Sequence, residues 1–115
     1  MSADDREVRW QKLTRDEVRA AADAGAVVIQ PIGTIEQHGP HLPVDVDVFS
    51  SESVALRVAA AAPFPVIVTP PVWWGVSEYW MELGGTIPLR PELLTDLLTE
   101  IIDGVARNGF QRVLI

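Results

Sequence analysis

The sequence contains no cysteine, which excludes disulfide bridges and any metal site built from thiolates. This absence fits a reducing compartment, and we expect a cytoplasmic protein. Positive charge is also scarce, since 9 Lys and Arg residues face 16 Asp and Glu residues, for a net charge of −7. No basic patch is available for a phosphate backbone, so nucleic-acid binding is disfavoured.

Long apolar runs are missing as well. No segment approaches the roughly 20 apolar residues that a membrane helix needs, and residues 1–7 are too charged for a signal peptide. We therefore expect a soluble protein without a membrane partner. The 115 residues allow one domain at most, and a hydrophobic content of 48% is enough to bury a core.

Helices and strands alternate along the chain. Thr14 and Glu17 predict a capping box before a helix over 15–24, which Gly25 ends. Apolar runs over 26–32, 66–68 and 112–115 predict buried strands, and a helix is expected over 48–62. Pro91 predicts the start of the most amphipathic helix, which Asn108 and Gly109 close.

This alternation predicts a parallel sheet with helices on both faces, a three-layer α/β/α fold. Ligands of such sheets bind beyond the carboxyl ends of the strands. The segment 32–47 follows the first predicted strand and the segment 70–90 follows the second, so both are expected at one edge of the sheet.

The segment 32–47 contains both histidines of the chain and three carboxylates, Glu36, Asp45 and Asp47. In an extended backbone, residues two apart point the same way, so Glu36 and His38 can converge on one centre, and so can Asp45 and Asp47. Zinc and manganese take imidazole and carboxylate ligands. The alternative is structural: Glu36 could cap backbone amides in a glycine-rich turn, and His38 could be an ordinary loop histidine.

Two further interpretations of these segments stay open. The two aspartates alone are also compatible with the metal-nucleotide motif of some glycosyltransferases, but no basic residues stand nearby to receive a diphosphate. The long segment 70–90 holds Trp73, Trp74, Tyr79 and Trp80. A loop of this length predicts either a functional role or a contact surface for another subunit, and the sequence does not separate the two.

The run Gly33-Thr34-Ile35-Glu36-Gln37-His38-Gly39-Pro40-His41-Leu42-Pro43, with Asp47 four residues on, resembles the signature of the creatininase family of metal-dependent amidohydrolases. The resemblance continues through Trp74-Gly75-Val76-Ser77-Glu78, Gly85-Thr86-Ile87 and Asn108-Gly109-Phe110. It implies a C–N hydrolase that activates water with two divalent ions, zinc and/or manganese. Glu36 would bind one ion, His38 the second, and Asp47 would bridge them. It also implies a homo-oligomer, a hexamer.

The resemblance implies roles for three more residues. Ser77 matches a substrate-contacting serine, Glu78 lies beside it with turn stabilisation as an equal alternative, and His41 would support the metal loop or the substrate. Asp45 is expected to be solvated or to cap a helix. Aromatic residues replace a family segment at 79–86, which leads to the hypothesis of an apolar or flat cyclic amide as substrate.

Relatives carry further metal ligands in an Asn-Gly-His-Gly-Gly-Asn-type segment after the strand that here is 112–115. This sequence stops before that segment. Residues 1–115 are therefore expected to be the N-terminal part of a single creatininase-like domain, truncated after its third strand. Such a chain would be inactive alone and would need a complementary C-terminal fragment. The alternatives are a short metal-binding or interaction module, and the front half of a small-peptide peptidase.

Overall fold

A computed structural model describes residues 6–115. The chain forms a parallel three-stranded sheet in the order β2-β1-β3, flanked by three helices. The strands are β1 (Val27–Ile29), β2 (Val66–Val68) and β3 (Val113–Leu114), and the helices are α1 (Arg15–Asp23), α2 (Val46–Ala61) and α3 (Pro91–Arg107). Short 3₁₀ helices span Trp10–Lys12 and Glu78–Leu83. The predicted α/β class is confirmed.

Alternate residues of the strands face opposite sides of the sheet. Val28 and Ile67 belong to the hydrophobic cluster that includes Val18 of α1 and Val105 of α3. The second cluster joins residues of β1 and β2 to α2, and its buried members are Ile29, Ala55, Ala59, Val66 and Val68. The helices therefore cover both faces, as expected for a three-layer fold.

The start of α1 follows the sequence pattern closely. The Thr14 hydroxyl accepts a hydrogen bond from the Glu17 N–H at 3.3 Å, and the Glu17 carboxylate accepts one from the Thr14 N–H at 2.7 Å. This backbone donor also holds the pKa of Glu17 below its ordinary value. The predicted capping box is confirmed, and Gly25 adopts φ +75° after the helix.

Several predicted boundaries are wrong by one to three residues. The first strand is 27–29 rather than 26–32, because Pro31 has no N–H to continue the ladder. Helix α2 begins at Val46, with Asp45 at the N-cap position but without a side-chain capping bond. Asp47 is therefore helical. The expectation that Asp45 and Asp47 point together from an extended backbone is wrong.

The two edges of the sheet differ. At the β2 edge, the Val68 N–H donates to the Val8 carbonyl at 2.7 Å, and Arg9 forms a parallel bridge with Val68. Residues 8–9 thus extend the sheet at this edge, and Trp10 docks on Phe110 with ring centroids 5.2 Å apart. At the other edge, no strand within residues 6–115 pairs with β3 on its outer side.

The helices of the described residues are all too short or too polar to cross a membrane.

Candidate metal centre

Two loops meet at the carboxyl edge of the sheet. We call residues 30–44 the motif loop and residues 70–90 the aromatic loop. The Gly33 N–H donates to the Val72 carbonyl at 2.9 Å, and the Ile87 N–H donates to the Ile35 carbonyl at 3.0 Å. The prediction that both loops lie at one edge is confirmed.

Helix α2 approaches the motif loop at Gly33. A Cβ atom at Gly33 would lie 2.6 Å from both the N and the Cα atoms of Val48, which is closer than real Cβ atoms come to such atoms. Val48 itself is buried, with 2% of its surface exposed. The absence of a side chain at Gly33 therefore lets the first turn of α2, which carries Asp47, lie directly against the motif loop.

His38 faces Asp47 across this junction. The His38 Nε2 atom lies 3.7 Å from Asp47 Oδ2, which is too far for a hydrogen bond. On the other side of the ring, Nδ1 lies 3.0 Å from the Glu36 carbonyl oxygen. A carbonyl only accepts, so in the neutral ring the Nδ1–H donates and Nε2 carries the lone pair. Metal-binding histidines are commonly oriented in this way, because a hydrogen bond from one ring nitrogen to a carbonyl leaves the other nitrogen free to bind the ion.

The carboxyl group of Glu36 is influenced by both Asp47 and His38. Partial burial raises the pKa of its carboxyl group, the negative charge of Asp47 raises it further, and His38 opposes the shift. The charge of Asp47 is therefore close enough to disfavour the ionised form of Glu36. A bound cation would relieve this repulsion.

Of the three residues that the sequence singled out as ligands, His38 and Asp47 face each other from two different elements. Two ligand atoms that bind the same ion at about 2.1 Å can lie at most about 4.2 Å apart. The His38–Asp47 separation of 3.7 Å meets this limit, so the pair fits a divalent ion. Within residues 6–115, however, no group of three or more His, Cys, Asp or Glu side chains could hold an ion by itself.

The other predicted site residues occupy different environments. Ser77 is 1% exposed, and its Oγ lies 3.1 Å from Thr34 Oγ1 in a hydrogen bond. Glu78 is exposed at the start of a 3₁₀ helix, and His41 is exposed on the motif loop. Among the described residues, no hydrogen bond or ion pair joins His41 or Glu78 to the three candidate ligands.

Sequence reasoning missed the contacts that hold the motif loop. Thr34 pairs with Ser77, and the buried Thr86 hydroxyl accepts a hydrogen bond from the Gln37 N–H at 3.1 Å. These partners lie 43 and 49 positions apart, so no local pattern signals them. The close approach at Gly33 had one signal, a glycine placed between a buried strand and a polar motif.

Two open cavities lie beside the sheet rather than at the candidate ligands. One of about 460 Å³ is lined by Trp10, Trp73 and Trp74 together with residues of α3. The other, of about 470 Å³, lies between α2 and β3. Neither is lined by Glu36, His38 or Asp47, so the aromatic residues 73 and 74 face a separate space.

The family model described as creatinine amidohydrolase (Creatininase) matches residues 11–115. The chain belongs to the creatininase family. Its fold agrees with solved creatininases: a creatinine amidohydrolase structure superimposes with a TM-score of 0.88 at 32% sequence identity, covering 94% of this chain and 43% of that one. A manganese form of creatininase gives a TM-score of 0.86 at 31% identity, with 94% and 44% covered.

Relatives in this creatininase family differ in substrate. The chain is 29% identical to a 3-dehydro-scyllo-inosose hydrolase of Thermotoga maritima over 113 residues, covering 94% of this chain and 34% of that protein. It is 33% identical to a creatinine amidohydrolase of Pseudomonas putida, with 90% and 42% covered. It is 37% identical to a mycofactocin precursor peptide peptidase of Mycobacterium tuberculosis, with 64% and 32% covered. The chain therefore spans less than half the length of these hydrolases, and the part that it matches is their N-terminal part.

Proposed function

We propose that this chain supplies the N-terminal part of the active site of a metal-dependent amidohydrolase that cleaves a C–N amide bond. The single observation that supports this most is the arrangement around His38. Its Nδ1–H is engaged by the Glu36 carbonyl, while Nε2 faces the Asp47 carboxylate at 3.7 Å without a hydrogen bond. Family membership supplies the reaction class.

In this proposal Glu36 and His38 bind different ions and Asp47 binds both. The ions would be zinc and/or manganese, in line with manganese and zinc–zinc forms among solved creatininases. When bound, the two ions supply an activated water and polarise the amide carbonyl. Residues outside this chain would complete the ligand set, because residues 6–115 contain no self-sufficient cluster.

In this proposal the residues of this chain act as metal ligands and line the substrate side of the site. The side chain of His38 is 25% exposed and that of Asp47 is 41% exposed, so both remain accessible from one side. His41, Ser77 and Glu78 are proposed to act on the substrate side. For Ser77 this requires the Thr34 hydrogen bond to open, since the hydroxyl is buried. We further propose an oligomer, on family resemblance.

Two substrate classes fit the relatives. A small cyclic amide follows from the creatinine amidohydrolase relative, which matches at 33% identity over 110 residues. A short peptide is the second candidate, because the peptidase relative matches at 37% identity over 81 residues.

Metal content of purified variants tests the proposal. Glu36→Gln, His38→Ala and Asp47→Ala in the full-length protein should each remove at least one ion, and Asp47→Ala should remove both. Elemental analysis and calorimetric titration with Mn²⁺ measure the loss. Matched controls are Glu100→Gln and Asp103→Ala on α3, where both carboxylates are exposed. Full occupancy of Asp47→Ala would contradict the bridging role.

Hydrolysis assays on the metal-loaded wild-type protein then separate the substrate classes. Turnover of cyclic amides without turnover of short peptides supports the first class, and the reverse supports the peptidase. Stoichiometric metal binding without turnover of either would leave a metal-binding module and contradict the hydrolase proposal.

A further inference from the structure

Two buried polar side chains, Gln30 and Thr69, meet where β1 and β2 end. Gln30 is 1% exposed and Thr69 is 7% exposed. A buried glutamine is uncommon, because its two N–H donors and its carbonyl all need partners away from water. Within the described residues no buried side-chain polar atom lacks a partner, so this pair is fully bonded.

The bonds of Gln30 reach both loops. Its Nε2 donates to the carbonyl oxygens of Pro31 at 2.8 Å and Pro70 at 3.0 Å, and its Oε1 accepts from the Thr69 hydroxyl at 2.6 Å. The opposite amide orientation would place Oε1 against two carbonyl oxygens, so the network fixes the orientation. One side chain thus ties the beginning of the motif loop to the beginning of the aromatic loop.

The prolines explain why a side chain is needed here. Pro31 and Pro70 lie two residues after the ends of β1 and β2 and have no N–H, so neither can continue the parallel ladder between these strands. The two N–H groups of the Gln30 amide bond the carbonyls of these same prolines. The Gln30 side chain therefore supplies hydrogen bonds at the point where the backbone ladder between the two strands stops.

This connection leads directly to the candidate ligands. The Pro31 carbonyl also accepts from the Val72 N–H at 3.0 Å, and Val72 in turn accepts from the Gly33 N–H at 2.9 Å. Gly33 is the residue that touches α2. A series of hydrogen bonds through Pro31 and Val72 therefore connects the Gln30 side chain to Gly33, three residues before Glu36.

We propose that Gln30 and Thr69 are positioning residues for the candidate metal centre. They bind no metal themselves. They hold the motif loop against the aromatic loop through Pro31, Pro70 and Val72, and so keep Glu36 and His38 at the right distance from α2. The effect on metal binding rests on the proposed function, whereas the effect on the two loops does not.

Mn²⁺ titration of the full-length protein tests the first consequence. Thr69→Val should weaken Mn²⁺ binding about tenfold, the effect of losing roughly one hydrogen bond. Gln30→Met should weaken it by at least as much, because it removes all three hydrogen bonds of the Gln30 side chain. Thr69→Ser keeps the hydroxyl and should stay within about twofold of wild type. The two losses should not multiply in the double variant, because the residues share one bond. Thr95→Val is the matched control, since the Thr95 hydroxyl bonds only within α3, to Pro91 at 2.9 Å.

Amide hydrogen exchange tests the second consequence without metal. In Thr69→Val and Gln30→Met, the amides of Gly33 and Val72 should exchange faster, while amides of α3 keep their wild-type rates. Unchanged exchange at Gly33 and Val72, or equal acceleration throughout the sheet, overturns the proposal, as does unchanged Mn²⁺ affinity in Thr69→Val. If wild type itself binds no Mn²⁺, the proposed function fails, and the exchange rates alone decide the role of the pair.

Discussion

Gly33 sets the separation between the two segments that carry the candidate ligands. Its missing side chain leaves room for the backbone of Val48, one residue after Asp47. The contact does not depend on an unusual backbone angle, because Gly33 is not among the glycines with positive φ. A glycine can therefore be required by what approaches it rather than by its own conformation.

Gly33→Ala should both destabilise the fold and weaken metal binding. The new methyl group would force the motif loop and α2 apart, at a cost of about 1–3 kcal/mol typical of overpacking. Urea unfolding and Mn²⁺ titration measure the two effects. Gly104→Ala is the control, because an added Cβ there meets nothing within 4 Å and lies in a helix, so stability should rise by up to about 1 kcal/mol. Equal effects of the two changes would contradict the close-contact argument.

The carboxylates of Glu36 and Asp47 illustrate a cost built into the site. Burial and the neighbouring negative charge raise the pKa of Glu36, so the ionised metal-free form is less favourable than two separated carboxylates. Because the folded protein binds the Glu36 proton more tightly than the unfolded chain does, the free energy of unfolding falls as the pH rises from the ordinary pKa of a glutamate through the raised value. The position of these two candidate ligands therefore lowers the stability of the metal-free protein.

At the scale of elements, α1 shows the opposite case, in which each local signal favours the same structure. The hydroxyl of Thr14 and the carboxylate of Glu17 satisfy each other's backbone N–H groups, and Gly25 adopts the left-handed conformation that ends the helical segment. Because all of these signals lie within a dozen residues, the sequence predicts this element almost to its ends.

Acid should weaken α1 through Glu17. Its pKa is lowered in the folded chain, chiefly by the Thr14 N–H, so its contribution is complete above the ordinary pKa and is lost as the pH falls through the lowered value. Glu17→Gln keeps an acceptor without a charge and should flatten this part of the pH dependence. Thr14→Ala should cost about 1 kcal/mol at neutral pH. Urea unfolding at neutral pH and at about pH 3.5 measures both effects. If Glu17→Gln loses as much stability between the two pH values as wild type does, Glu17 is not the source of the acid sensitivity.

Helix α2 shows where local signals are insufficient. The composition predicts its start at residue 48, yet the helix begins at Val46 and Asp45 makes no capping bond. The position of α2 is fixed by the close approach of Val48 to Gly33, and no local sequence pattern indicates this contact. Of the three candidate ligands, His38 and Asp47 face each other at 3.7 Å, and Asp47 arrives by a helical turn and not by an extended strand.

At the scale of the whole molecule, the order of elements was sufficient to predict a parallel sheet with helices on both faces, although not the strand order β2-β1-β3. Alternation of apolar strands and helices gives a parallel sheet, and the carboxyl edge follows from the direction of the strands. What the sequence did not predict are long-range polar pairs such as Thr34 with Ser77 and Gln30 with Thr69. Each depends on residues about 40 positions apart, and their residue types are too common to stand out.

The two edges of the sheet predict different behaviour toward other chains. The outer side of β3 has no partner within residues 6–115, and Leu114 is 57% exposed. A polypeptide of these 115 residues should therefore self-associate, and Leu114→Lys should reduce the association by placing a charge on the open edge. Leu83→Lys is the control with the same charge change at a 68% exposed site in the aromatic loop. Sedimentation velocity measures the association, and an equal reduction by both variants would contradict an edge-specific contact.

The pairing of Val8 and Arg9 with Val68 matters for how the protein is handled in the laboratory. These bonds join residues some 60 positions apart in the sequence, so a change near Val8 acts on a strand edge that β2 completes much later in the chain. An affinity tag joined close to Val8, or a deletion that removes it, would disturb this strand edge. Purification handles are better placed away from this segment.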